Sequence, residues 1–158
     1  MKKLIVVAAI AAVAVVGWKV RSHKAEQTQV TVGDVQDGRN ILVDQLWVDH
    51  LPRNERDPIN VFVMLDEEKL GVMQNLTRYK GAYEMFEYGQ GKGFRWPQTG
   101  DVDKPSIRIH SCKDDGFDYC MDISGVSRGV KHYVTKKDWK VRSLADEQAL
   151  AAKLDATR

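Results

Sequence analysis

Two cysteines, four prolines and four histidines are all that this 158-residue chain holds of the residue types that most often make staples, breaks and metal sites. Two cysteines are too few for a disulfide-dense scaffold or a four-cysteine zinc site. Four scattered prolines exclude a collagen-like or polyproline architecture. Neither sign of charge dominates, with 24 Lys and Arg against 22 Asp and Glu. The basic stripe with interleaved aromatics that nucleic-acid binding needs is absent, so no nucleic-acid partner is expected. There is no His-Glu-x-x-His, and Asp101-Val102-Asp103 lacks the spaced oxygen ligands of a calcium loop and reads as a solvated turn. The glycine-rich Gly89-Gln90-Gly91-Lys92-Gly93 is not followed by Lys-Ser/Thr or by a helix signal, which makes it a hairpin loop, not a phosphate cradle.

What is present begins at the first residues. Lys2 and Lys3 precede fourteen apolar or small residues, Leu4 to Gly17, and then come Trp18, Lys19, Arg21, His23 and Lys24. A basic start and a short apolar block are the marks of export, either as a signal sequence or as an anchoring helix. As a helix the run spans about 21 Å, short of the roughly 30 Å hydrocarbon core. Length therefore favours a signal sequence. For a retained anchor speak the small-x-small site Ala12-Val13-Ala14 lying inside the run, the interfacial Trp18, and Lys19 and Arg21 placed to snorkel. The expected location is the bacterial inner membrane, single-pass through residues 4–18 with a periplasmic domain, or the periplasm if the leader is cleaved.

The remainder divides into a polar tether over 22–38, one β-domain over 39–142 and a C-terminal helix over 143–158, following the leader at 1–21. Within the tether Val30-Thr31-Val32 is a candidate edge strand. From residue 39 on, short β-branched and aromatic segments alternate with turn residues every 8–12 positions, as in sandwiches and barrels. Strands are expected at Ile41–Val48, Ile59–Leu65, Gly71–Tyr79, Ala82–Tyr88, Phe94–Trp96, Ser106–Cys112, Asp118–Ile123 and Val130–Thr135. Ile59–Leu65 is almost wholly apolar and reads as a central strand. Ser143 with Asp146 forms an N-cap pattern, and Leu144, Leu150, Ala151 and Leu154 share a side of the helix that follows. Glu147 interrupts that stripe, so the helix is expected to pack weakly.

Cys112 and Cys120 flank a loop centred on Gly116. A three-residue hairpin loop there sets Cys112 against Cys120, His110 against Asp122 and Ile109 against Ile123. Ile107, Ile109, Met121 and Ile123 then share one face and His110, Cys112, Cys120 and Asp122 the other. Outside the cytoplasm such a pair oxidises, giving an expected Cys112–Cys120 disulfide. The rival readings are free thiols and a metal set of His110, Cys112, Cys120 and His132, but Cys-x7-Cys is not a short-spaced zinc pattern. No metal site, cofactor, catalytic elbow or catalytic residue is expected.

The body from Ile41 to Val141, with Leu46-Trp47 on its first strand, resembles the lipocalin-like (calycin) barrels; their Gly-x-Trp signature is absent. The segments Tyr79 to Phe86 and Phe117 to Cys120 resemble exported envelope proteins of Gram-negative bacteria. The first resemblance implies an antiparallel meander barrel of about eight strands, and the second an envelope location. Such a barrel either holds one small ligand or is filled by side chains. Trp47, Phe62, Met64, Met85, Phe86, Phe94 and Trp96 are the candidate lining residues. Two functions follow as expectations. One is binding of a small apolar molecule or lipid; the other is interaction with an envelope protein through a barrel that is only scaffold.

Overall fold

The computed structural model describes residues 29–32, 41–77, 79–89, 93–113 and 116–156. The expected leader and all of the tether but 29–32 lie outside them, and no described helix is long and apolar enough to cross a membrane. The described chain is mainly β: β1 (Gln29–Val32), β2 (Trp47–Val48), β3 (Ile59–Leu65), β4 (Leu70–Leu76), β5 (Gly81–Glu87), β6 (Phe94–Arg95), β7 (Val102–Asp103), β8 (Ser106–Ser111), β9 (Tyr119–Ser124) and β10 (His132–Thr135), then helix α1 (Leu144–Ala156).

These strands form one curled sheet, a half-barrel, in the order β1-β8-β9-β10-β2-β3-β4-β5-β6-β7. The nine strands from β8 round to β7 pair antiparallel. This is a meander in which the last strand, β10, meets the first of the body, β2, as barrel closure requires. The ladder is open elsewhere, between β7 and β8, although only Lys104 and Pro105 join them. The other edge of β8 is taken by β1, which runs parallel to it from Gln29↔Ser106 to Val32↔Ile109. A strand has two edges, so β8, holding β9 and β1, has none left for β7.

Alternation along the strands separates two packed layers. The inner face gathers Trp47, Phe62, Met64, Met73, Phe86, Phe94, Trp96, Ile107, Ile109, Met121, Ile123 and Tyr133. The outer face of β2, β3 and β10 carries Val48, Ile59, Val61, Val63, Leu65 and Val134, packed with Trp139, Val141 and, from α1, Leu150 and Leu154. β3 is apolar almost throughout because it is covered on both sides. The helix that the sequence reading expects to pack weakly docks through two leucines. Leu150 and Leu154, one turn apart, are both buried. The cap forms as expected, with the Asp146 N–H donating to Ser143 Oγ at 3.2 Å and the Arg142 N–H to Asp146 Oδ2 at 3.0 Å.

Three local expectations change. Ile41–Val48 is not one strand: residues 41–42 are helical, Asp44 is left-handed at φ 52°, and only Trp47–Val48 pairs as β2. The Asp44 side chain accepts from the Asp66 N–H at 3.0 Å, which ties this bend to the β3–β4 turn. The Asp101–Asp103 turn contains β7, paired with β6 through Arg95↔Val102. The β8–β9 hairpin is shifted by two residues, with Ile107↔Ile123, Ile109↔Met121 and His110↔Cys120. A shift of two leaves every side chain on its expected face, so the alternation of apolar and polar residues is the same in both registers.

Candidate functional site

The interior is the first place to look for a site, and among the described residues it is lined by buried aromatic and aliphatic side chains. Trp47, Phe62, Phe86, Phe94, Trp96 and Tyr133 have no exposed surface. All of them but Trp47 form a continuous run of ring contacts: Phe86 lies 4.1 Å from Phe94 and 5.2 Å from Trp96, and Phe62 lies 5.8 Å from Phe86 and 5.5 Å from Tyr133, centroid to centroid. Met64 is buried with them. Met85 is not. It neighbours Phe86 on β5 and so points to the outer face, opposite Val72.

Beside the opening between β7 and β8, side chains tie β7 to the β9–β10 loop. Gly125, at φ 72°, sits so close to the Lys104 carbonyl that a Cβ would lie 2.2 Å from it, which brings the β9–β10 loop onto the β7–β8 link. From that loop Ser127 donates through both its N–H and its Oγ to Asp103 Oδ2, each at 2.8 Å, and Trp96 Nε1 donates to the same oxygen at 2.8 Å. Burial pushes the Asp103 carboxyl up, but the Ser127 and Trp96 donors and the Arg128 charge together hold it below the usual carboxylate range. The Arg128 guanidinium lies 4.3 Å from the centre of the Trp96 ring and reaches Glu84 at 3.1 Å and Thr99 at 3.2 Å. A cation on an indole face and three donors on one carboxylate oxygen close this end of the half-barrel.

The same loop, Gly125-Val126-Ser127-Arg128-Gly129, has the Gly-x-Ser-x-Gly spacing of a nucleophile elbow, which the expectation of no catalytic elbow did not anticipate. An elbow needs a strand running through a sharp turn into a helix. Here the pentapeptide joins two antiparallel strands, and the Ser127 hydroxyl donates to Asp103.

The outer face holds the polar clusters. Cys112 and Cys120 form a disulfide with Cα atoms 5.0 Å apart. Because the register is shifted, Cys120 opposes His110, and Cys112, just beyond β8, reaches it diagonally. Oxidation takes both thiols out of the alternative metal set. Beside the disulfide, Asp122 of β9 is gripped from both neighbouring strands: His110 Nε2 lies 3.1 Å from its Oδ2 and His132 Nδ1 2.9 Å from its Oδ1. The His132 bond lowers the Asp122 carboxyl most, against burial, with His110 adding to it. A second cluster follows β2. His50 lies between Asp49 Oδ1 at 2.9 Å and Asp57 Oδ2 at 3.2 Å. Arg53 grips Asp57 through its backbone N–H and its Nε, both at 2.9 Å, and through Nη2 at 3.2 Å. These Arg53 bonds hold the buried Asp57 far below the ordinary carboxylate range. Asp49 in turn accepts from the backbone N–H and side-chain amide of Asn60. Among the described residues, no three His, Cys, Asp or Glu side chains are grouped so as to hold a metal ion.

The sequence pointed to His110 and Asp122 as neighbours. It did not point to the His50, Arg53 and Asp57 cluster, nor to the seam residues Asp103, Ser127 and Arg128. The only hint was composition: two or three charged residues within an otherwise polar loop, a pattern common to any solvated surface. A shallow cleft between the β3–β4 turn and the start of α1 is lined by Asp44, Leu65, Glu67, Glu68, Val141, Arg142 and Ser143. No family model, no curated protein and no solved structure matches the chain.

Proposed function

We propose that this chain is a membrane-tethered periplasmic interaction module, a filled half-barrel that presents its surface to a protein partner in the cell envelope. The observation that carries this reading is the stacked aromatic interior, where six rings leave no exposed surface and so no room for a lipid chain. The Asp103, Ser127 and Arg128 cluster supports it, because it ties β7 to the β9–β10 loop at one end of the opening between β7 and β8. The envelope location is supported by the basic-apolar leader and by the Cys112–Cys120 disulfide, which oxidising compartments favour. For the contact surface, the exposed Tyr79, Tyr83 and Val102 are the large apolar side chains that a partner would cover.

The competing function is a small apolar ligand or lipid held inside the sheet. The full chain, extracted in mild detergent, separates the two by titration with an environment-sensitive hydrophobic dye and by native mass spectrometry. The filled module takes up no dye saturably and retains no lipid. One bound lipid or dye per molecule overturns it. Alkaline phosphatase fused after Arg158 should be active if the domain is periplasmic; an inactive fusion, with an active cytoplasmic reporter at the same point, overturns the location. A photo-crosslinking residue at Tyr83 should give one discrete adduct in cells, and its absence at Tyr83, Tyr79 and Val102 alike overturns the contact surface.

A further inference from the structure

One edge of β5 is free over most of its length. Its ladder with β4 runs unbroken from Leu76↔Gly81 to Leu70↔Glu87, but its pairing with β6 is confined to Glu87↔Arg95. β6 turns away at Trp96, whose carbonyl accepts the N–H groups of Thr99 and Gly100. The Tyr88 N–H donates to the Lys69 carbonyl and the Thr77 N–H to the Lys80 carbonyl, so the even-numbered residues of β5 turn their backbone groups toward β4. The N–H and C=O groups of Gly81, Tyr83 and Met85 therefore point the other way, where among the described residues no strand receives them.

Such an edge is normally guarded by proline, by a bulge or by unpaired charge. Gly81–Glu87 has no proline and no break in register, and Lys80 stands in the turn ahead of it. Both of its carboxylates are taken, Glu84 by Arg128 at 3.1 Å and Glu87 by Arg95 at 2.7 Å. Gly81, Ala82, Tyr83 and Glu84 are exposed in a row, so the strand meets water on both faces as well as along its edge.

We propose that this edge pairs with the same edge of a second copy of the chain, antiparallel and centred on Tyr83, and joins two half-barrels into one sheet. The proposal rests on the reading of Tyr79 and Tyr83 as contact surface and names the partner there. Outward backbone groups bond only to outward groups, which restricts the two-fold centre to Ala82, Tyr83 or Glu84. A centre on Glu84 sets two carboxylates face to face, and one on Ala82 carries Met85 past the end of the partner strand. The Tyr83 centre uses Gly81, Tyr83 and Met85 together. It also sets large against small: Met85 faces Gly81, where Leu76 of β4 covers the place of a side chain, Glu84 faces Ala82, and the Tyr83 rings meet each other. The edge is thus complementary to itself, as a two-fold contact requires.

Sedimentation equilibrium of the full chain in mild detergent tests this with two charge variants. Tyr83 is half exposed, so Tyr83→Lys and Tyr83→Glu leave the fold intact. The wild type should be a dimer. Each variant alone sets like charges across the axis and should raise the dissociation constant about tenfold, and an equimolar mixture of the two should dimerise again. A monomeric wild type overturns the proposal, as does a dimer that neither variant weakens or a mixture that stays apart. The photo-crosslinker at Tyr83 reads the partner separately. An adduct of twice the chain's mass supports the pairing; an adduct with a different protein overturns it and leaves the contact surface standing.

Discussion

Gly71 and Phe86 occupy one volume between them. They oppose each other across β4 and β5, and a Cβ on Gly71 would lie 2.0 Å from Phe86 Cζ. The ring has nowhere to retreat, being wholly buried against Phe62, Phe94 and Trp96. Gly71→Ala should therefore cost about 1–3 kcal/mol, the usual range for overpacking. Phe86→Leu in the same chain should recover part of that loss, a non-additivity visible in a double-mutant cycle of denaturation midpoints.

Asp103→Ala should open the seam. It removes the acceptor of Trp96 Nε1 and of two Ser127 donors. Donors left unpaired cost about 1–3 kcal/mol. Hydrogen exchange should quicken in 124–131 and 94–103 and stay unchanged in β3 and β4. Uniform acceleration would mean that the seam is not a separate latch.

Replacing both Cys112 and Cys120 by serine should lower stability by about 2–3 kcal/mol, the entropic worth of closing a short loop. The six backbone pairs between β8 and β9 remain, so the variant should stay folded. Denaturant unfolding with and without reductant gives the comparison, and the serine variant should be insensitive to reductant.

Truncation after Arg142 should destabilise the sheet. It removes Leu150 and Leu154 from the outer cluster that they share with Val61, Val63 and Leu65. Burial of two leucines is worth about 3 kcal/mol or more. The truncated chain should also self-associate through the bared strip, which sedimentation reads directly.

Asp57 sets part of the acid limb. Its carboxyl is depressed in the folded state, chiefly by Arg53, so its contribution is present above about pH 4 and is lost as the pH falls further. Asp57→Asn should lower the midpoint at pH 7 and give a shallower decline between pH 4 and pH 2.5. Parallel curves for the two proteins would contradict this.

Much of the architecture is written in local pattern. The run Ile59–Leu65 announces a strand buried on both faces, Val30–Val32 a short edge strand, and Ser143 with Asp146 a helix start. The cysteine spacing leads to the Cys112–Cys120 bond. These follow from side-chain periodicity and capping chemistry, which neighbouring residues settle among themselves. Periodicity has period two, however, and cannot tell one hairpin register from another two residues away. Both leave Ile107, Ile109, Met121 and Ile123 on the inner face, and the choice falls to the turn and the disulfide together.

Contacts between distant segments decided the rest. That the sheet opens between β7 and β8 depends on β1 arriving from elsewhere in the chain to occupy an edge of β8. That Met85 faces outward while Phe86 fills the interior depends on which face of β5 the curl encloses. The pairing of His50 with Asp57, and of Arg128 with Trp96, joins loops whose composition is that of any solvated surface. Local pattern marks which segments turn an apolar face away from water. Which groups then meet is decided by the closing of the sheet, because a hydrogen bond or an ion pair depends on distances of a few ångströms between residues far apart in the chain.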